Sequence, residues 1–291
     1  MASPHLAATV IELPGGRHLG YAEVGDPVGK PIICFHGTPG SRLQLEPPEG
    51  IELPAGYRLI APDRPGYGYS TFYRERRLTD WPGDVAALAD YLGLDRFSVM
   101  GVSGGGPHVL VCAHGLGDRL IGVACVSGVG PLGDPQAAEG MMPTNRMITT
   151  LSRRTPRLLR ILFNAQINWL KRNPERFMDV MIRQMPEPDR ALMNDGLREL
   201  FAKDIAMSSA TAGLAAAQDF ELFSGDWGFR LEDIRVPVHL WQGSVDRNVP
   251  AHHAELLARR IPNATLHRCD GEGHLLFLPR LAEILSTITT A

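Results

Sequence analysis

The sequence predicts an α/β fold: a mostly parallel sheet, covered by helices on both faces and interrupted by a helical insertion. Three observations carry this. Residues 31–35, 58–61, 97–101 and 122–126 are short, nearly continuous apolar runs, with helix-length segments such as 84–92 and 107–113 between them. Strands without polar alternation are buried on both faces, the condition of a parallel sheet between helical layers. From residue 131 to about 225 these runs stop, and Met, Leu, Arg and Pro dominate segments divided by Pro143, Pro156, Pro174, Pro186 and Pro188. The alternation then resumes with a strand at 238–242, a helix at 250–260, a strand at 265–269 and a last helix from about Leu275. The expected organisation is a core in two parts, 1–130 and 226–291, separated by an insertion at 131–225.

The chain opens with two strands at 9–13 and 18–24, joined by Pro14, Gly15 and Gly16 as a hairpin on an antiparallel edge. Within the insertion, Leu158, Leu159, Leu162, Phe163 and Leu170 are expected on one helical face, with Arg153, Arg157, Arg160, Asn164, Asn168 and Lys171 on the other. The basic stretch 146–176 reads as a solvated face. Eight of the ten methionines lie between Met141 and Met207, where they either line an adaptable apolar pocket or simply pack helices together.

The formal net charge is -3, with both signs interspersed, which gives no electrostatic footprint for nucleic acid. No apolar run approaches the roughly twenty residues of a membrane span, and residues 1–9 lack the layout of a signal peptide. A cytoplasmic location is expected. Cys34, Cys112, Cys125 and Cys269 are too scattered to be zinc ligands and are expected as buried thiols. Neither metal nor organic cofactor is expected, and the partner is a small-molecule substrate. Monomer and homodimer both remain open.

The most informative segment is the apolar strand that enters Gly101-Val102-Ser103-Gly104-Gly105 and leaves as a helix. A serine on a tight strand-to-helix turn needs residues without side chains two before and two after it, because neighbouring backbone comes very close. Gly101 and Gly105 meet that need, so Ser103 is the candidate nucleophile, and the Gly104 amide sits at a helix N-terminus that favours developing negative charge. A serine hydroxyl needs a base, and the base an acid, on loops at the C-terminal ends of the strands. Asp246 follows the strand at 238–242, and His274 follows the one at 265–269 behind a Gly-x-Gly hinge. Asp134 and Asp270 are competing acids, and Asp246 could serve only as a helix cap. The rival histidines lie in helices (His108, His114, His252, His253), in a strand (His267) or near the hairpin (His5, His18). After the strand at 31–35, His36-Gly37-Thr38-Pro39-Gly40 offers a second oxyanion donor. Pro39 has no N–H, so the donor is the Thr38 amide, and His36 is expected to orient the loop.

Together with Asp63-Arg64-Pro65-Gly66-Tyr67-Gly68-Tyr69-Ser70, these segments make the chain resemble the α/β-hydrolase superfamily over nearly its whole length. The resemblance implies that 131–225 is a cap over the active site, and that Thr38 and Gly104 donate to the oxyanion. Haloalkane dehalogenases and epoxide hydrolases of this superfamily carry aspartate where Ser103 stands. The His36 loop looks like that of proline iminopeptidases, but Thr38 and Gly104 depart from their pattern. The resulting expectation is a serine esterase that cleaves a small or medium carboxylic ester through Ser103, His274 and Asp246. Carbon-carbon hydrolases, hydroxynitrile lyases and a hydrolase-fold receptor with little turnover are the alternatives.

Overall fold

In the computed structural model, which describes residues 7–47, 53–207 and 211–290, eight strands form one sheet. His5 lies outside the described residues. The strands are β1 (Thr9–Glu12), β2 (His18–Gly25), β3 (Lys30–Phe35), β4 (Tyr57–Pro62), β5 (Phe97–Val102), β6 (Leu120–Val126), β7 (Val238–Gly243) and β8 (Ala264–Cys269). They are arranged β1-β2-β4-β3-β5-β6-β7-β8. The β1–β2 and β2–β4 pairs are antiparallel and all later pairs parallel, as the hairpin and the apolar runs predict.

Successive strand residues feed two cores. Ile33, Phe35, Val99, Val123 and Cys125 join one, with residues of α1 (Trp81–Tyr91), α2 (Gly106–Gly115) and α9 (His252–Arg260). Ile32, Cys34, Met100, Ala124 and Val126 join the other, under Phe277, Ile284, Leu285 and Ile288 of α10 (Phe277–Thr289). Each such buried aliphatic or aromatic side chain contributes roughly 1.5–3 kcal/mol, so both faces of the sheet are firmly held. The four cysteines are free and buried. Among the described residues, no helix is long and apolar enough to cross a membrane.

Chain direction reverses at the centre of the sheet. From β3 the chain moves outward to β4, then crosses back to β5 on the other side of β3. The loops after β3 and β5 therefore flank a crevice at the C-terminal edge, where open α/β sheets bind ligands.

Between β6 and β7 lie α3 (Pro143–Arg154), α4 (Pro156–Arg172), α5 (Pro174–Gln184), α6 (Glu187–Leu192), α7 (Asp195–Met207) and α8 (Ala212–Ser224). Proline occupies the first turn of α3, α4, α5 and α6, where the N–H has no intrahelical partner to lose. The expected face of α4 is corrected in part. Leu159, Phe163, Ile167 and Leu170 are buried, whereas Leu158 and Leu162 are 44% and 39% exposed. The buried set follows four-, four- and three-residue steps and Leu159 and Phe163 pack on Ala216 and Ala217 of α8, whose small side chains admit close approach. Arg160 pairs with Glu221 at the margin of that seam, at 2.7 Å.

Candidate active site

Ser103 sits at the end of β5 with φ of 55°, a left-handed conformation uncommon outside glycine. It opens a single tight turn, Ser103–Gly105, that leads directly into α2. A Cβ at Gly101 would collide with the Gly105 carbonyl, and one at Gly105 with the Phe35 carbonyl. The glycines thus let β5, the turn and the end of β3 close on one another around Ser103.

His274 and Asp246 come together on the neighbouring loops. The His274 Nδ1–H donates to Asp246 Oδ2 at 2.8 Å, and both residues are buried. The other oxygen, Oδ1, accepts from the amides of Asn248 and Val249 at 2.8 and 2.9 Å, which closes a turn of its own loop. Helix α9 begins at His252 behind Ala251 with no side-chain cap, so the helix-cap reading of Asp246 is corrected. Burial opposes the imidazolium, but the charge and hydrogen bond of Asp246, with the charge of Asp189, outweigh it and raise the His274 pKa above the ordinary value. Asp134 instead caps its own turn through Gln136, and Asp270 is exposed.

Ser103, His274 and Thr38 line one cavity of about 160 Å³. No hydrogen bond joins Ser103 to His274 among the described residues; such links commonly tighten only when substrate is bound. A Cβ at Gly104 would collide with the Thr38 side chain and stand 3.0 Å from the Thr38 nitrogen, so the two loops touch beside the serine. Met141, Met142, Met181, Phe163 and Phe220 form much of the apolar wall, whereas Met178 packs with Leu170 and Phe177 away from it. Both readings of the methionines therefore apply, to different members. Among the described residues lining the cavity there is no Asp, Glu, Lys or Arg.

His36 orients its loop as expected. Its Nε2 accepts from the Arg64 amide at 3.0 Å, which leaves Nδ1–H to donate to the Gly37 carbonyl at 2.8 Å. Burial, then the Arg64 charge, depress its pKa well below the usual imidazole range, so it stays neutral. The rival histidines are engaged elsewhere: His253 with Gly130 and Ala137, His267 with His239, and His108 with the Gly104 carbonyl.

Three aspartates of the inserted helices escaped the sequence analysis. Asp189, in α6, accepts from the amides of His274 and Leu275, both at 2.9 Å. The His274 carbonyl in turn accepts from the Ser127 hydroxyl at 3.2 Å, so its backbone is held from both sides. Asp204, in α7, accepts from the amide and hydroxyl of Ser41 at 2.7 and 2.6 Å, and burial pushes its pKa up to about 7. Asp219, in α8, accepts from Arg64, Arg76, Tyr67 and Thr38 at 2.6, 2.5, 2.7 and 2.7 Å. Burial alone would raise its pKa, but the guanidiniums of Arg64 and Arg76 prevail and hold it well below the carboxylate range. Arg64 also donates to the Gly37 carbonyl and the Thr38 hydroxyl, each at 2.8 Å, which ties the pair to the loop after β3. The one available signal was Asp219 itself, a charge following the run Ala215-Ala216-Ala217.

Comparison with known proteins agrees with this architecture. A poly(3-hydroxyalkanoate) depolymerase of Ectopseudomonas oleovorans is 29% identical, over 99% of this chain and 92% of that protein. Among solved structures, a thermophilic esterase from Thermogutta terrifontis superposes with a TM-score of 0.66 at 22% identity, over 98% of this chain and 100% of its own. A bromoperoxidase from Bacillus anthracis does so with a TM-score of 0.68 at 23% identity, over 97% of each chain. At these identities the structural likenesses speak to fold alone. A family model described as the alpha/beta hydrolase fold matches residues 30–281, and the chain belongs to that family.

Proposed function

We propose that the protein is a serine hydrolase of uncharged carboxylic esters. The observation that carries this reading is the buried His274–Asp246 pair, whose histidine lines the same cavity as Ser103 in its left-handed turn. In the reaction, His274 Nε2 takes the Ser103 proton as Oγ attacks the ester carbonyl. The carbonyl electron pair moves to oxygen, where the amides of Thr38 and Gly104 receive the charge, each donor worth about 3 kcal/mol. Collapse of that intermediate expels the alcohol, which leaves with the proton from His274, and Ser103 is acylated. Water, deprotonated by the same imidazole, then releases the acid and restores Ser103. Asp246 keeps Nδ1–H fixed and offsets the imidazolium charge throughout. The helices within 131–225 act as the cap that supplies the apolar wall.

Membership of the hydrolase family supports this class, as does the depolymerase relative, whose named substrate, poly(3-hydroxyalkanoate), is a polyester. The lining supports a neutral substrate, since no carboxylate stands in the described wall to hold a free ammonium group, which disfavours an aminopeptidase. The test is hydrolysis of p-nitrophenyl esters by wild type and Ser103→Ala, with intact-mass detection of the acyl adduct. Turnover and an adduct that both disappear in Ser103→Ala support the proposal. Turnover that survives in Ser103→Ala, or none with any ester, overturns it.

A further inference from the structure

The catalytic cavity shares part of its wall with a second concavity. Thr144, Ile148, Phe163 and Gln166 line it on one side and, on the other, line an open groove of about 210 Å³ between α3 and α4. The rest of that groove is Met147, Leu151, Leu159 and Leu162, all apolar. Met147 and Leu162 come from facing helices and are 50% and 39% exposed. Apolar side chains gathered in a concavity yet left wet gain free energy from an occupant that removes water. Like the cavity, the groove has no Asp, Glu, Lys or Arg among its described lining.

Resting on the ester-hydrolase reading, we infer that the groove between α3 and α4 is the outer subsite for an uncharged hydrocarbon chain of the substrate, entered from Ser103 past Ile148 and Phe163. The substrate class is thereby a long neutral ester, its carbonyl at Ser103 and its distal methylenes between Met147 and Leu162. The wall shared with the catalytic cavity, through Thr144, Ile148, Phe163 and Gln166, favours a substrate tail over a separate protein partner. A buried methylene contributes about 0.8 kcal/mol, which is about fourfold in affinity or in kcat/KM.

The experiment is kcat/KM for p-nitrophenyl esters from acetate to decanoate in wild type, Leu162→Asp and Ile161→Asp. Leu162 lines the groove; Ile161, its neighbour on the same helix, is 64% exposed and outside it. The expected result is a rise of about two- to fourfold per methylene beyond the butanoate in wild type and Ile161→Asp, and a flattened rise in Leu162→Asp. A wild-type profile that is flat beyond butanoate, or two Asp variants with the same profile, overturns the inference while Ser103-dependent turnover leaves the esterase standing. If no ester is turned over, calorimetric titration of Ser103→Ala with methyl octanoate and methyl butanoate reads the groove directly. Tighter binding of the octanoate, lost when Leu162→Asp is added, supports the subsite; equal or absent binding overturns it.

Discussion

In the sheet, side chains alternate between two apolar cores, and the polar groups of the site lie beyond the strand ends on short loops. The inserted helices do the reverse. Their outward faces leave apolar residues such as Leu158, Ile161 and Trp169 exposed, while α6, α7 and α8 each bury an aspartate against a loop of the core. The core thus presents the proposed reacting groups, and the inserted helices hold the loops on which they stand. A buried carboxylate is expensive unless its oxygens are filled, and each of these accepts hydrogen bonds from core groups. The difference separates residues whose loss stops chemistry from residues whose loss loosens the frame.

Four substitutions, with two surface controls, probe that separation, from the largest expected effect to the smallest. Asp246→Asn, in the core, should lower kcat by about 10⁴-fold, because it reverses the hydrogen bond that fixes the His274 tautomer. Asp134→Asn and Asp270→Asn should stay within about twofold of wild type, as surface changes do. Initial rates on a short ester decide it, and an equal loss in all three would move the acid away from Asp246. Asp219→Asn should instead act on stability. Left beside an amide, the buried Arg64 and Arg76 lose their counter-charge at a cost of about 3–5 kcal/mol, read as a lower denaturation midpoint. A midpoint unchanged from wild type would show that the insertion does not brace the loop after β3.

Asp189→Asn tests whether that frame reaches the base. One of its two amide partners loses an acceptor, and kcat should fall about 10- to 100-fold through displacement of His274. The pH profile carries the diagnostic. His274 must be neutral to accept a proton, and the Asp189 charge helps to raise its pKa, so removal of that charge should move the acidic limb of the rate profile to lower pH. A fall in rate with an unmoved limb would reduce Asp189 to a purely structural part. The smallest effect concerns Asp204. Its folded value of about 7 lies above the ordinary 3.8, so the folded chain retains a proton that the unfolded chain has released between those values. Stability should decline as pH rises through that window, and Asp204→Asn should flatten the decline between about pH 4 and about pH 7 in thermal unfolding.

Legibility in the sequence followed the range of the interactions. Ser103, His274 and Asp246 announce themselves because each stands on a short loop after a strand, with glycines beside Ser103 and His274 marking close backbone approach. The sheet was legible for the same reason, since burial on both faces writes continuous apolar runs. Asp189 and Asp204 left no local trace. Their partners are 85 and 163 residues distant in sequence, and either aspartate reads locally as a solvated helical charge. Arg64 stood inside a segment that carried the family likeness, yet its role depends on Asp219 of α8, 155 residues away. On α4, periodicity grouped Leu158 and Leu162 with the buried stripe, because it could not foresee that α8 would present Ala216 and Ala217 to only half of that face.

The two-sided hold on the His274 backbone bears on how the protein can be re-engineered. Exchanging its helical insertion for that of a relative, as a self-contained module, would remove Asp189 and leave the amides of His274 and Leu275 to find new acceptors. Each orphaned buried N–H costs about 1–3 kcal/mol. A working chimera therefore has to import an acceptor at that height above β8, and a donor library screened for such a carboxylate should yield active hybrids where one chosen for helix length alone does not.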